Sequence, residues 1–314
     1  MRIVSLLPSA TEIVWRLGLA DQLVGVSADS DWPPELVAAL PVLNTVAIDP
    51  NSLSSREIDA AAASDGHTGA SLYHIDPARL RQLQPELILT QEVCEVCAVS
   101  RRDVELATRT LGYQPRVLSL SPASLDQVLE DVDLVARQAG VPERSGPLVR
   151  ALRARLDAVR RRTATLAERP RVFCMEWLDP PYTAGHWVPE MVELAGGCDG
   201  LGTAYGPSRR IAWDEVLEYA PEVIVLMPCS LELDRVAAEF SLVRDLPGWP
   251  ELPAVTSGRV FAGNSHLFSR SGPRLVEGTE TLGRLLHPAL FEQPLPAGTA
   301  LKLAPDGTRL DPYR

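Results

Sequence analysis

The sequence has 314 residues and a formal net charge of −11, with 41 acidic and 30 basic side chains. This length predicts about two domains, each large enough to bury a core of its own. The acidic balance argues against nucleic acid and anionic membranes as partners, and the sequence has no apolar run of about 18 residues that would predict a membrane-embedded protein.

The chain opens with a strand and a helix, which is the order that begins α/β folds. Residues 3–7 are apolar, and residues 9–12 form a capping-box pattern that predicts a helix start. A second strand is predicted at residues 23–27, and Trp32 follows it; further on, residues 65–69 are predicted to form a loop. Because the first strand leaves too short an apolar stretch for a signal peptide, the sequence predicts a cytoplasmic protein.

A short apolar strand at residues 87–89 is followed at once by potential ligands. Glu92, Cys94 and Cys97 come directly after it. In open α/β sheets, ligands bind at the carboxyl ends of the strands. The sequence therefore predicts that a Cys-x-x-Cys pair and a carboxylate lie at a ligand-binding edge.

Residues 217–229 repeat this arrangement, because a helical run stops at Pro-Glu, an apolar strand follows, and Cys229 lies at its exit. Thiolates at the spacing of Cys94 and Cys97 suit zinc or an iron–sulfur cluster, and Cys229 or Cys174 would complete such a set. The same spacing also suits a redox pair, or thiols packed in the interior without a chemical role. All three interpretations stay open at this point.

Two predicted helices link the halves of the chain. Residues 124–127 form a second capping-box pattern, and helical spacing continues to Pro170. A turn at residues 305–307 predicts a small hairpin near the end. The predicted segments are an N-terminal α/β lobe at 1–122, a linking helical segment at 123–169, a C-terminal α/β lobe at 170–290 and a tail at 291–314.

The C-terminal lobe places polar and aromatic residues after its strands, which are predicted at residues 171–177 and 259–263. The candidate ligand contacts of the whole chain are Trp32, Glu92, Trp177, Tyr182, His186, Trp187, His266 and Arg270. Aromatic rings beside an imidazole suit a flat macrocycle, whose faces stack on the rings while a ring nitrogen approaches a metal centre. For Trp187 the alternative is an indole packed beneath a helix, and for Arg270 it is an ion pair with Glu277. Glu176 also lies at the exit of its strand and suits hydrogen bonding to amides.

The sequence contains no nucleophile elbow, phosphate loop or zinc-protease helix, which argues against an enzyme. Residues 2–12, the two Pro-Glu strands, the single helical link and residues 270–274 resemble the vitamin B12-binding proteins of ABC importers, within the helical-backbone class of substrate-binding proteins. The likeness covers about residues 1–288. It implies two Rossmann-like lobes joined by one long helix, with a ligand cleft between them and little closure on binding.

By this resemblance, the expected function is non-catalytic binding of cobalamin or another corrinoid for an ABC importer. Because the class also carries haem and iron–siderophores, one of those ligands is the first alternative. The second alternative is a cytosolic metalloprotein or redox protein, in which Cys94, Cys97 and Cys229 hold zinc or an iron–sulfur cluster on the same scaffold.

Overall fold

The computed structural model describes residues 1–47, 52–68, 73–92, 99–109, 111–291 and 293–310, with only the backbone at 64–68. The chain divides into two compact units. The first contains Met1–Pro122 and Asp126–Ala151, and the second contains Ala123–Leu125 and Leu152–Arg314.

The first unit is built on a parallel sheet. Its strands are β1 (Ile3–Ser5), β2 (Leu23–Val26), β3 (Asn44–Val46), β4 (Tyr73–Ile75), β5 (Leu87–Gln91) and β6 (Arg116–Leu120). Its helices are α1 (Pro8–Arg16), α2 (Pro34–Val37), α3 (Ser55–Thr68), α4 (Pro77–Leu83) and α5 (Arg101–Thr108). The parallel sheet has the order β2-β1-β5-β6, while β3 and β4 form a separate antiparallel pair. All residues of β1 and β5 are buried, which explains the apolar residues with which both strands begin.

Two local predictions for the first unit need correction. Helix α1 begins at Pro8, one residue before the predicted capping box, and its N-cap Leu7 makes no side-chain hydrogen bond. Proline is well suited to a first helical position because the amide hydrogen it lacks would have no partner there. The loop predicted at 65–69 is wrong for residues 65–68, which continue α3. The alanines at 60–63 favour helix strongly enough to carry it through the glycine at position 66.

The helical link consists of α6 (Leu125–Gln138) and α7 (Pro142–Thr163). Helix α7 has 22 residues, begins in the first unit and ends in the second. Its buried residues Leu152, Leu156 and Val159 recur at helical spacing, as the sequence predicted. Among the described residues, no helix combines the length and the apolar character needed to cross a membrane.

The second unit has a larger, mixed sheet. Its strands are β7 (Val172–Trp177), β8 (Tyr182–Thr183), β9 (Gly185–His186), β10 (Thr203–Ala204), β11 (Val223–Leu226), β12 (Val260–Gly263), β13 (Ala300–Leu303) and β14 (Arg309–Leu310). Its helices are α8 (Val188–Leu194), α9 (Trp213–Tyr219), α10 (Leu233–Ala238), α11 (Ser241–Arg244), α12 (Pro253–Thr256) and α13 (Leu275–Leu286). The sheet order is β14-β13-β12-β11-β7-β8, with β7, β11 and β12 parallel.

The antiparallel strands β13 and β14 extend this sheet beyond β12. Its core contains Phe173, Ile224, Phe240 and Trp249. Because β7, β11 and β12 are parallel neighbours, their carboxyl ends lie along one edge of the sheet. The segments that follow these three strands therefore lie at this edge of the second unit. Most of the candidate residues of the unit belong to these segments.

Candidate functional site at the strand ends

Polar groups from β7 and the segment after β11 meet at this edge of the second unit. The backbone N–H of Cys229 donates to the backbone oxygen of Glu176 at 3.2 Å. The Cys229 sulfur is partly buried and lies 3.6 Å from Oγ of Ser230. Cys229 therefore lies beside the carboxyl end of β7, as the sequence predicted from its position after β11.

The Glu176 carboxyl is the most perturbed acid at this edge. Its Oε1 accepts a hydrogen bond from the Gly185 N–H at 3.1 Å. Burial raises the pKa of Glu176 to about 8, and the nearby Cys229 adds to the rise. At neutral pH this side chain is consequently protonated, so it provides a hydrogen-bond donor and no negative charge.

Of the other cysteines considered as metal ligands, the structure describes Cys174 but not Cys94 and Cys97. Cys174 in β7 is fully buried, and burial, followed by the charges of Asp199 and Glu176, raises the pKa of its thiol well above the usual range. Metal binding requires the thiolate, so this environment does not favour Cys174 as a ligand. Cys94 and Cys97 lie outside the described residues, and their zinc or cluster role stays a prediction. Within the described part of the chain, no group of three or more His, Cys, Asp or Glu side chains is arranged to hold a metal ion.

His186 is held at the edge by its own backbone. It has a left-handed conformation with φ of 52°, its N–H donates to the Gly206 oxygen at 2.6 Å, and its oxygen accepts from the Tyr205 N–H at 2.9 Å. The imidazole is partly buried, and burial lowers the pKa of His186. The side chain is therefore a neutral imidazole at neutral pH, with a ring nitrogen able to accept a hydrogen bond or bind a metal.

The segment before His186 requires glycine. A Cβ atom on Gly185 would stand 2.3 Å from the backbone nitrogen of Ser208 and 2.7 Å from the backbone carbon of Pro207. Strand β9, which contains Gly185 and His186, pairs with β10. This close backbone approach fixes the position of His186 relative to Glu176.

Trp187 is a packing residue. Its side chain is only 5% exposed, and its Nε1–H donates to the Phe268 oxygen at 2.6 Å. Its ring centroid lies 5.4 Å from that of His186. This environment favours the alternative of an indole packed between the segments that follow β7 and β12, and contact of Trp187 with a ligand stays a prediction.

The other candidates of the second unit are partly accessible. The Tyr182 hydroxyl accepts from Arg210 Nε at 2.9 Å, and Trp177 packs partly buried against the core. The His266 side chain is 13% exposed and lies 3.2 Å from a carboxylate oxygen of Glu232. Arg270 is partly buried. All four belong to segments at or beyond the strand ends, but their positions alone do not assign them a role.

In the first unit, Trp32 and Glu92 follow β2 and β5. Trp32 is 39% exposed. Glu92 is about half exposed and lies 3.8 Å from the Arg101 guanidinium, so a surface ion pair accounts for its charge. Trp32 thus offers an accessible aromatic surface, whereas the expected ligand contact of Glu92 has no support beyond its place after β5.

A buried hydroxyl cluster lies beneath the segments that follow β1 and β2. Thr11 Oγ1 lies 2.9 Å from the Ser5 hydroxyl and 3.0 Å from that of Ser30, which is in turn 3.0 Å from the Ser27 hydroxyl. All four side chains are buried. Their mutual hydrogen bonds tie α1 to the turn that precedes Trp32.

Two residues near the strand ends of the second unit, Tyr205 and Arg210, were not among the candidates predicted from the sequence. Tyr205 is 62% exposed and follows β10, with its backbone bonded to His186. Arg210 is exposed and contacts the Tyr182 ring, with its guanidinium carbon 5.8 Å from the ring centroid. The Gly-Pro turn at residues 206–207 was the signal that an aromatic residue before it would lie at a loop tip.

Comparison with known proteins identifies related chains. The family model described as periplasmic binding protein matches residues 3–267. An ABC transporter substrate-binding lipoprotein of Bacillus subtilis (strain 168), YvrC, is 25% identical over 299 residues, covering 93% of this chain and 82% of that protein. A vitamin B12-binding protein of Yersinia pestis (strain Pestoides F) is 26% identical over 283 residues, covering 90% of this chain and 84% of that protein.

Solved structures share the fold. The haem-binding protein RhuT from Roseiflexus sp. RS-1 aligns with a TM-score of 0.68 and 22% identity, covering 92% of this chain and 98% of that one. The vitamin B12-binding protein BtuF of Vibrio cholerae aligns with a TM-score of 0.64 and 23% identity, covering 93% of this chain and 98% of that one. These alignments confirm the predicted fold class of two α/β lobes.

The predicted cytoplasmic location is wrong. The matching family and both solved structures are described as periplasmic, and the Bacillus relative is a lipoprotein. The error came from the apolar residues at the start of the chain. They form the buried strand β1, so their apolar character is explained by the fold and gives no information on the cellular location.

Proposed function

The chain belongs to the periplasmic binding protein family, whose members bind solutes for importers, and from that premise we propose that it binds a corrinoid or a related metal-containing macrocycle without catalysing a reaction. In this proposal the ligand contacts the strand-end residues described above and is passed to an ABC importer. The relatives named as vitamin B12-binding and the similar structures named as haem-binding support this class of ligand.

His186 carries the proposal. A macrocycle-bound metal has most of its coordination positions filled, so a binding protein needs to supply only one axial donor. The neutral imidazole of His186 is such a donor, and two backbone hydrogen bonds fix the main chain that carries it. Because this main chain is already fixed, little backbone entropy is lost when the ligand binds.

Aromatic surface beside the imidazole suits the faces of a macrocycle. Tyr205 is largely exposed and directly follows β10, whose Ala204 pairs with His186, and Tyr182 is partly exposed in β8, which pairs with β7. Stacking on such rings contributes through burial of apolar area and through ring–ring contact. The protonated Glu176 is able to donate a hydrogen bond to an amide or carboxylate side arm.

Haem is the second candidate, and Arg210 favours it. The guanidinium of Arg210 is exposed beside Tyr182, where it is able to receive a carboxylate in a bidentate arrangement. A corrinoid with amide side arms would gain less from this cation. Arg270 is a further cation near the same edge, and its role in binding a carboxylate belongs to the same proposal.

Absorption titrations with hydroxocobalamin and with haemin, run separately, test the proposal. Position 186 has a left-handed backbone, which asparagine tolerates better than alanine, so His186→Asn is the appropriate variant. We expect the parent to bind one equivalent of one ligand with a shift of its visible bands. In His186→Asn we expect affinity to fall by about tenfold or more, which corresponds to about 1.4 kcal/mol.

His74→Ala is the matched control, because His74 lies exposed in β4 of the first unit. It should bind like the parent. Metal-free protoporphyrin should bind equally to the parent and to His186→Asn if the imidazole acts on the metal. Equal affinity of His186→Asn and the parent for the metal-containing ligand would contradict the role of His186, and binding of neither ligand would contradict the proposed ligand class.

A further inference from the structure

A cavity at the opposite end of β12 carries an unexpected concentration of positive charge. Its volume is about 330 Å³. The residues that line it are Ser257, Gly258, Arg259, Phe261, Arg284, Leu285, Leu286, Pro288 and Lys302. Among the residues that the structure describes, this lining contains three cations and no carboxylate, in a chain whose net charge is −11.

The three cations come from three elements of the second unit. Arg259 directly precedes β12, Arg284 lies in the last turn of α13, and Lys302 lies in β13 opposite Phe261. His266 and the residues around it follow the carboxyl end of β12, whereas Arg259 precedes its amino end. The cavity is therefore a separate feature of the unit.

Ordinary structural roles use only part of this charge. Arg259 donates to the Leu286 oxygen at 2.8 Å and Arg284 donates through Nε to the Gln293 oxygen at 3.2 Å, so each satisfies a carbonyl near the end of α13. A guanidinium has five N–H donors, which leaves several on each arginine for another acceptor. Glu222 acts on Arg259 from outside the lining, but it also lies 3.7 Å from Arg171.

Lys302 gives the clearest indication of a ligand. It is the single lysine of the sequence. Its ammonium makes no hydrogen bond or ion pair with any residue that the structure describes, and its Nζ is 4.0 Å from the position that a Cβ on Gly258 would occupy. Lys302 is a partly buried residue, and its ammonium lies near Gly258 in the lining of the cavity without a described counter-charge.

We propose that this cavity binds the phosphate group of a small organic phosphate, with its apolar wall receiving the organic part. Two guanidinium groups and one ammonium supply positive charge and N–H donors, which suit the charge and the oxygen acceptors of a phosphate ester. Phe261, Leu285 and Leu286 are almost fully buried and provide the apolar wall. A soluble phosphate ester and a phospholipid headgroup share this chemistry.

Isothermal titration calorimetry with phenyl phosphate tests the proposal, with benzyl alcohol as an uncharged comparison. We expect saturable binding of one equivalent of phenyl phosphate to the parent and none of benzyl alcohol. Lys302→Gln and Arg284→Gln should each weaken binding about tenfold or more, since each removes a charge-assisted hydrogen bond. Lys302→Arg keeps the charge and should retain most of the affinity.

Arg102→Gln is the charge-matched control, because Arg102 is exposed in α5 of the first unit. It should bind phenyl phosphate like the parent, as should His186→Asn, which separates this inference from the proposed macrocycle function. Vesicles containing phosphatidic acid are a second probe. If the parent binds them and Lys302→Gln binds them more weakly, the phosphate group comes from a lipid headgroup. No saturable binding of either probe, or unchanged affinity in Lys302→Gln and Arg284→Gln, would overturn the proposal.

Discussion

Replacing Glu176 by glutamine should remove a pH dependence of stability that this carboxyl imposes on the second unit. The pKa of Glu176 rises from 4.5 to about 8 on folding, chiefly because burial disfavours the charged form. Between these values the folded protein holds a proton that the unfolded chain releases. The carboxyl therefore destabilises the fold increasingly as the pH rises through this window, and the effect is complete above it.

The magnitude follows from linkage. Each pH unit inside the window changes the free energy of unfolding by up to about 1.4 kcal/mol. Between about pH 5 and about pH 8, with partial titration at both ends, the loss amounts to about 3 kcal/mol. Glutamine keeps an oxygen that can accept the Gly185 hydrogen bond and carries no titratable proton. Relative to the parent, Glu176→Gln should therefore gain about 3 kcal/mol of stability between the two pH values.

Urea unfolding of the parent and Glu176→Gln, followed by tryptophan fluorescence at about pH 5 and about pH 8, measures this difference directly. Burial also raises the pKa of Asp131 to about 7 and that of Asp199 to about 6. Both acids are present in the two proteins, so their own contributions cancel, and only the coupling between Asp199 and Glu176, the smallest cause of the Glu176 shift, does not. A stability difference that is the same at both pH values would refute the assignment of a raised pKa to Glu176.

Three further substitutions have defined outcomes. Gly185→Ala forces a Cβ to within 2.3 Å of a backbone nitrogen and should lower the thermal unfolding midpoint and the affinity for the macrocycle together; unchanged values would contradict the close approach. Trp187→Phe removes the hydrogen bond to the Phe268 oxygen and should cost about 1–2 kcal/mol in urea unfolding, while Trp32→Phe at an exposed position should cost little. Thr11→Val removes the hydrogen bonds of Thr11 to the Ser5 and Ser30 hydroxyls in the buried hydroxyl cluster and should cost about 1–2 kcal/mol, whereas Thr11→Ser should retain most of the stability.

The strands were predictable because their sequence signals are local. Both Pro-Glu segments precede buried strands, β5 and β11; β11 is a continuous apolar run, and β5 begins with one at residues 87–89. The first residue of α1 was harder to predict. Pro8 occupies the first helical position, and the hydroxyl of Thr11 bonds to Ser5 instead of marking the start of the helix. Helix α3 was missed because its pattern is weakly amphipathic, so periodicity gave no signal over residues 65–68.

The sheet edge at which the candidate residues lie was predictable from the sequence, whereas the burial and protonation of each side chain were not. Parallel strands bring their carboxyl ends to one edge, so sequence order alone placed Cys229 and His266 on the same side of the second unit. Burial of Trp187 depends on Phe268, which is distant in sequence. The raised pKa of Glu176 likewise depends on Gly185 and on the desolvation that the folded segments create. Such effects arise from tertiary packing and leave no pattern in the chain.

The protonation states at the edge of the second unit bear on the class of ligand. A bare divalent cation is bound most strongly by ionised carboxylates or thiolates, which supply the charge that the ion loses with its water. Near neutral pH, Glu176 keeps its proton and His186 is an uncharged imidazole. Two uncharged groups are poorly matched to a bare cation, but they are well matched to a macrocycle, which neutralises its metal internally and needs one axial donor and hydrogen bonds to its side arms. If the proposal is right, a rise in pH through about 8 should change macrocycle affinity more in the parent than in Glu176→Gln, because only the parent has the Glu176 carboxyl that loses its proton there.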